Sequence, residues 1–166
     1  MDSISADQAE AARHRRRLTL GIRDSLRELG RQLSLLNHRV GARLELRDVD
    51  LECLDVIARH GPLSPSALAR RTGLHPATMT GILDRLERGG WITRDRDPDA
   101  ADRRAVTVRN RRERNAEVLR LYSGMNTSLD QILAGYTEAE LEVLADFLRR
   151  TTGAAQSSTD DLGRGP

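Results

Sequence analysis

The run from Gly61 to Val108 constrains this chain more than any other stretch, because its helix starters and helix breakers fall at spacings that few folds accommodate. Pro62-Leu63-Ser64-Pro65-Ser66 leads into a short helix, with a hydroxyl at the N-cap and proline at the first helical position. Gly73-Leu74 breaks that helix, and His75-Pro76 opens a second one, with Thr78 near enough to help satisfy its start. The second helix stops at Gly89-Gly90. Two strand-like segments follow, Trp91 to Asp95 and Ala105 to Val108, separated by an Asp/Arg/Pro loop. Helix, tight turn, helix and a two-stranded ribbon make a winged helix-turn-helix, an arrangement that usually reads double-stranded DNA.

Apolar spacing assigns faces to these helices. In the first, Pro65 to Thr72, the residues to bury are Leu68 and Ala69. In the second, Met79, Ile82, Leu83 and Leu86 stand at i, i+3, i+4 and i+7 and therefore face a core. The opposite face carries His75, Ala77, Thr78, Thr80, Gly81 and Arg85. Small and polar side chains near its N-terminus suit a helix pushed end-first into a major groove. Charge agrees with this placement. From Arg70 to Arg114 there are 12 Arg against 7 acids, a net of +5, in a chain whose overall charge is only +2. Positive charge is concentrated where phosphate contact requires it. All 27 basic side chains are Arg, which base composition explains as readily as chemistry does.

The flanks are helical. Leu18 to Leu46 reads as one long helix in which Ile22, Leu26, Leu29, Leu33, Leu36 and Val40 form a narrow heptad-like stripe for packing against other helices. Ahead of it, residues 1–17 read as a flexible basic arm. Within that arm, Arg13-His14-Arg15-Arg16-Arg17 is either a solvated helix start or a contact for nucleic acid. A helix from Asp48 to Arg59 buries Val49, Leu51, Leu54 and Ile57. After the wing, Asn110-Arg111-Arg112-Glu113 resembles a capping box with Asn110 as N-cap. The helix it opens runs toward Tyr136, its apolar face made by Val118, Leu119, Tyr122, Met125, Leu129, Ile132 and Leu133. Thr137-Glu138-Ala139-Glu140 is a second capping box, starting a helix to about Arg150 that buries Leu141, Leu144, Phe147 and Leu148. Residues 153–166 read as a disordered tail.

The chain thus divides into an arm (1–17), an N-terminal helix (18–46), a winged helix-turn-helix (47–109), C-terminal helices (110–152) and a tail. The expected fold class is mainly α, with a small two- or three-stranded antiparallel β wing.

The rest of the sequence serves mainly to exclude. Aromatic content of 2% against 38% hydrophobic favours a mainly helical protein. No apolar run approaches a membrane span, and a single cysteine suits a reducing compartment, so a soluble cytoplasmic protein without membrane partners is expected. His14, His38, His60 and His75 lack metal-ligand spacing, and no Gly-rich phosphate loop or nucleophile motif is present. No catalysis, cofactor or metal is expected. Cys53 lies between apolar positions with Glu52 and Asp55 beside it; those acids raise a thiol pKa, which favours a structural cysteine over a redox sensor.

With these elements in place, the chain resembles the MarR (multiple-antibiotic-resistance regulator) family. The resemblance is carried by Gly61-Pro62-Leu63-Ser64-Pro65-Ser66-Ala67-Leu68-Ala69 and His75-Pro76-Ala77-Thr78-Met79-Thr80. It continues through Leu83-Asp84-Arg85-Leu86-Glu87-Arg88-Gly89-Gly90-Trp91-Ile92 and Asp102-Arg103-Arg104-Ala105-Val106. It implies a homodimer built from the N- and C-terminal helices, with the second helix of the motif in the major groove and the wing in the adjoining minor groove. By position, Thr78 and Thr80 become base or phosphate contacts, with His75, Pro76 and Ala77 lining the approach and Arg85 further along the helix. Ser64 and Ser66 approach phosphates. Asp102 and Arg104 form an acid–base pair that stiffens the wing. Arg103 or a neighbouring Arg, with Arg96 at the wing's base, enters the narrow groove.

The resemblance further implies a repressor acting on a pseudo-palindromic operator with half-sites about one helical turn apart. A small lipophilic or phenolic effector would bind between the dimer helices and the reading head, in a cleft walled by residues such as Leu33, Leu36, Cys53 or Tyr122. The competing reading is a winged helix that binds protein instead of DNA. Three departures from the family pattern stand out: Gly81 replaces a long polar side chain, the wing is about two residues longer, and Asn110-Arg111 and Arg114 replace the usual residues opening the next helix.

Overall fold

Residues 2–96 and 106–163 are described by the structure, a computed structural model. Among them the order is α1 (Asp2–Arg43), α2 (Asp48–His60), α3 (Pro65–Thr72), α4 (Pro76–Arg88), β1 (Ile92–Arg96), β2 (Val106–Asn110), α5 (Arg112–Leu133) and α6 (Glu138–Gly163). The mainly helical fold with a small antiparallel wing is the expected class. The chain divides into two compact units, Met1–Val118 and Leu119–Pro166. Among the described residues, no helix is long and apolar enough to cross a membrane.

Both ends of α1 differ from expectation. It begins at Asp2, so residues 2–17 are helical where a flexible arm was expected. Four Ala and four Arg make up half of that segment, and extending an existing helix avoids the cost of a new nucleus. At the other end α1 stops at Arg43, short of Leu46. There Leu46 N–H donates to Gly41 O at 2.8 Å while Glu45 takes a left-handed φ of 56°. A Cβ at Gly41 would lie 2.9 Å from Leu46 O, so glycine permits this tight fold-back.

The core of the first unit is the set of faces that helical spacing selects. Leu51, Leu54 and Ile57 of α2 meet Leu68 and Ala69 of α3 and Met79, Ile82, Leu83 and Leu86 of α4 in the interior. Trp91, Ile92 and Val108 close it from the wing, while Val40, Leu44 and Leu46 bury the end of α1. Val49 is only partly buried. Asp50 is instead the buried neighbour, 1% exposed.

In the wing, β1 and β2 pair antiparallel from Ile92 opposite Asn110 to Arg96 opposite Val106. A third strand-like contact joins them: Leu63 N–H donates to Val108 O at 3.1 Å, and Val108 N–H donates back at 2.7 Å. The loop entering α3 is thereby bonded to the wing. Because β2 runs on to Asn110, that residue is not the N-cap of α5. Its Nδ2 donates to Leu54 O at 2.8 Å, tying the strand to α2. The strand pairing has claimed a residue whose local sequence suggests a cap.

In the second unit, the end of α5 turns through Ala134 to Tyr136 into α6. The capping box expected there is formed: Thr137 N–H donates to Glu140 Oε2 at 2.8 Å, and Glu140 N–H donates to Thr137 Oγ1 at 3.4 Å. Contrary to expectation, α6 continues past Arg150 to Gly163. The hydroxyls of Thr152, Ser158 and Thr159 donate to carbonyls four residues earlier, so these polar side chains are satisfied within the helix. Of the four α6 residues expected to be buried, Leu141 and Leu144 are only partly so, and Phe147 and Leu148 are exposed. Leu119, Met125, Leu129 and Ile132 of α5 are exposed too, as are Ile22, Leu29 and Leu33 of α1.

Candidate nucleic-acid interface

The helix-turn-helix is held by two N-caps of different chemistry. Ser64 Oγ accepts from Ala67 N–H at 3.2 Å and lies 3.1 Å from Ser66 Oγ, with Pro65 at the first helical position. Gly73 ends α3 at φ 66°, a left-handed conformation that glycine adopts without a Cβ penalty. Two residues later, His75 Nδ1 accepts from Ala77 N–H at 3.3 Å and caps α4. In the neutral imidazole this leaves Nε2 as the N–H donor, presented beside the helix N-terminus.

The outer face of α4 carries the residues that the sequence selected. His75, Pro76, Ala77, Thr78 and Thr80 are all exposed, while Met79 between them is buried. Thr80 Oγ1 donates to Pro76 O at 3.1 Å, so its lone pairs remain available to an outside donor. Gly81 faces open space: a Cβ there would meet nothing within 4 Å. Ser66 is exposed and Ser64 partly so.

Arg85 is placed differently. Its guanidinium is turned to α2, where Nε donates to Asp50 Oδ2 at 2.9 Å and Nη2 donates to Oδ1. Asp102, Arg103 and Arg104 lie outside the described residues, as does the side chain of Arg96. The stem of the wing is nevertheless well tied. Arg94 bridges to Asp84 at 2.5 Å and Glu87 at 3.3 Å, fastening β1 to α4, and Arg109 meets Asp95 across the strands at 3.0 Å. Arg114 stacks over the buried Trp91 ring, 3.7 Å from its centroid, and so secures the start of α5 to the wing.

Sequence reasoning passed over Asp50 and Arg94. The signal for Asp50 was present: with Cys53, Leu54 and Ile57 it falls at i, i+3, i+4 and i+7, the spacing of the buried face. Arg94 had no such signal, since only the fold brings a strand residue to Asp84 and Glu87. Cys53 is fully buried, and burial first, then the charges of Glu52 and Asp50, push its thiol up to about 12 against the pull of Arg85. Among the described residues, no three His, Cys, Asp or Glu side chains gather as a metal site would require.

A capped helix pair with a polar outer face and a braced β-ribbon defines the winged-helix class. Residues 46–106 match the family model described as MarR family. The chain is 28% identical over 136 residues to the uncharacterized HTH-type transcriptional regulator YcgE of Bacillus subtilis, covering 82% of this chain and 87% of that protein. It is also 28% identical over 91 residues to the HTH-type transcriptional repressor YetL of the same organism, covering 55% of this chain and 53% of that protein. In structure it is similar to a MarR family protein from Bacillus stearothermophilus, with a TM-score of 0.64 and 19% identity over 84% of this chain and 96% of the other. This chain has the winged-helix fold, and its residues 46–106 resemble the MarR family.

Proposed function

We propose that this chain is a homodimeric, sequence-specific DNA-binding regulator of transcription, acting as a repressor that a small lipophilic or phenolic effector releases. The observation that carries the reading is the division of α4. Its apolar face is sealed in the core, while His75, Ala77, Thr78 and Thr80 stand exposed at its N-terminal end within the segment of net charge +5. Such a helix enters a major groove end-first, and the dipole at its N-terminus favours phosphate. The serines starting α3 supply backbone-phosphate contacts, and the wing, with Arg96, Arg103 and Arg104, reaches the minor groove.

Three further features support the finer points. The exposed apolar stripes of α1, α5 and α6 suit a second copy. The repressor sign follows the relative whose printed name is repressor, and the effector follows the family resemblance alone. The test is selection of bound duplexes from random DNA, repeated across a salt series. A pseudo-palindrome with half-sites about one helical turn apart should be enriched, with affinity falling steeply as salt rises. Thr80→Ala and Arg104→Ala should each weaken binding by about 1–3 kcal/mol while the dimer persists. Unchanged affinity in both variants overturns the placement of the interface. Absence of any enriched palindrome favours the protein-binding winged helix.

A further inference from the structure

We infer that Asp50 is the positioning residue for the reading helix, setting the angle at which α4 is presented to DNA through its bond to Arg85. This rests on the DNA-reading function proposed above. Among the described residues Asp50 is the buried charged side chain of the core, 1% exposed, and it makes three bonds at once. Arg85 Nε and Nη2 donate to its two oxygens, and Oδ2 also accepts from Arg47 N–H at 3.2 Å, closing the first turn of α2.

A guanidinium fork on a carboxylate fixes distance and orientation together, which an apolar contact does not. The carboxylate is buried while the Arg85 side chain is 33% exposed. An ion pair with a desolvated partner adds little net stability over a well-packed apolar replacement, so its distinctive contribution is a single geometry. Arg85 occupies a border position on α4. It lies seven residues after Thr78, on the outward stripe, and three after Ile82, on the buried one. Its side chain can therefore reach toward DNA or toward α2. Asp50 selects α2, takes the charge out of the interface, and braces α4 against the element that joins α1. A loose brace would move Thr78 and Thr80 relative to base edges without removing any phosphate contact.

The experiment uses the full chain, with Asp50→Asn, which keeps the shape and the Arg47 bond, and Arg85→Lys, which keeps the charge and loses the fork. Affinities for the selected operator and for random duplex are measured across salt, alongside amide hydrogen exchange without DNA. Both variants should lower the operator-to-random ratio about tenfold, the worth of roughly one base contact, with the salt slope unchanged. Exchange of α4 amides should quicken while that of α6 does not.

The inference is overturned if Asp50→Asn folds and keeps the wild-type ratio. It is also overturned if the variant binds random duplex more tightly while Arg85→Gln lowers the salt slope by about one, since Arg85 would then touch phosphate directly. Should the wild type select no duplex, the proposed function fails by itself. The exchange arm still decides whether Asp50 braces α4: quickened α4 amides support it, and unchanged ones overturn it.

Discussion

Single residues show how local physics sets what the reading head tolerates. Gly81 sits inside α4 with open space where a Cβ would be, so nothing in the packing requires glycine there. Gly81→Ala should raise stability by about 1 kcal/mol, measured by urea denaturation, because alanine loses less backbone freedom in a helix. Gly89 differs, since a Cβ there would lie 2.8 Å from Trp91 Cδ1. Cys53 is governed by burial. Its folded pKa of about 12 exceeds the ordinary 9.0, so the native state retains a proton that the unfolded chain releases once pH passes 9.0. Stability contributed by the neutral thiol is full below that value and is lost as pH rises toward 12. Denaturation curves from about pH 8 to about pH 11 should show an extra decline approaching about 1.4 kcal/mol per pH unit, absent in Cys53→Ala.

At the scale of elements, α6 depends on its cap. The Thr137 backbone N–H, and then its hydroxyl, hold the Glu140 carboxyl below its ordinary value. A depressed carboxyl stabilises above its unfolded pKa, and the contribution fades as pH falls through the folded one. Helix content should therefore decrease on acidification below the usual Glu range, and Glu140→Gln should lose that dependence in circular dichroism. Thr137→Ala should cost about 1 kcal/mol. Elements were also where sequence was most legible. Ser64-Pro65, Gly73 and His75-Pro76 marked α3 and α4 because capping is decided within a few residues. Asn110 misled for the opposite reason: its local pattern suits a cap, but the ladder to Ile92 and the bond to Leu54 O are long-range. The same limit hid Arg94, whose partners lie ten and seven residues away on another element.

At the scale of the whole molecule, the long helices carry the apolar stripes on which the proposed homodimer rests. Ile22, Leu29 and Leu33 on α1, and Leu129, Ile132 and Phe147 on α5 and α6, leave apolar surface in water that a helix stripe ordinarily buries. Sedimentation should give twice the chain mass, and Leu29→Asp with Leu33→Asp should shift it toward one chain. A single-chain mass at micromolar concentration for the unaltered protein would refute the homodimer. Operator binding should weaken together with the dimer, because two tethered half-sites bind as one event.

Sequence alone determined the order of elements in the reading head, the buried faces of α3 and α4, and the capping of α3, α4 and α6. All of these follow from interactions within about one or two helical turns. Tertiary structure decided that Arg85 turns inward to Asp50, that Arg94 braces the wing, that Asn110 belongs to β2, and that Leu63 adds a third contact to the ribbon. These depend on which distant side chains meet once the chain has closed. A local pattern states what a residue can bond to, and only the fold brings the partner within reach.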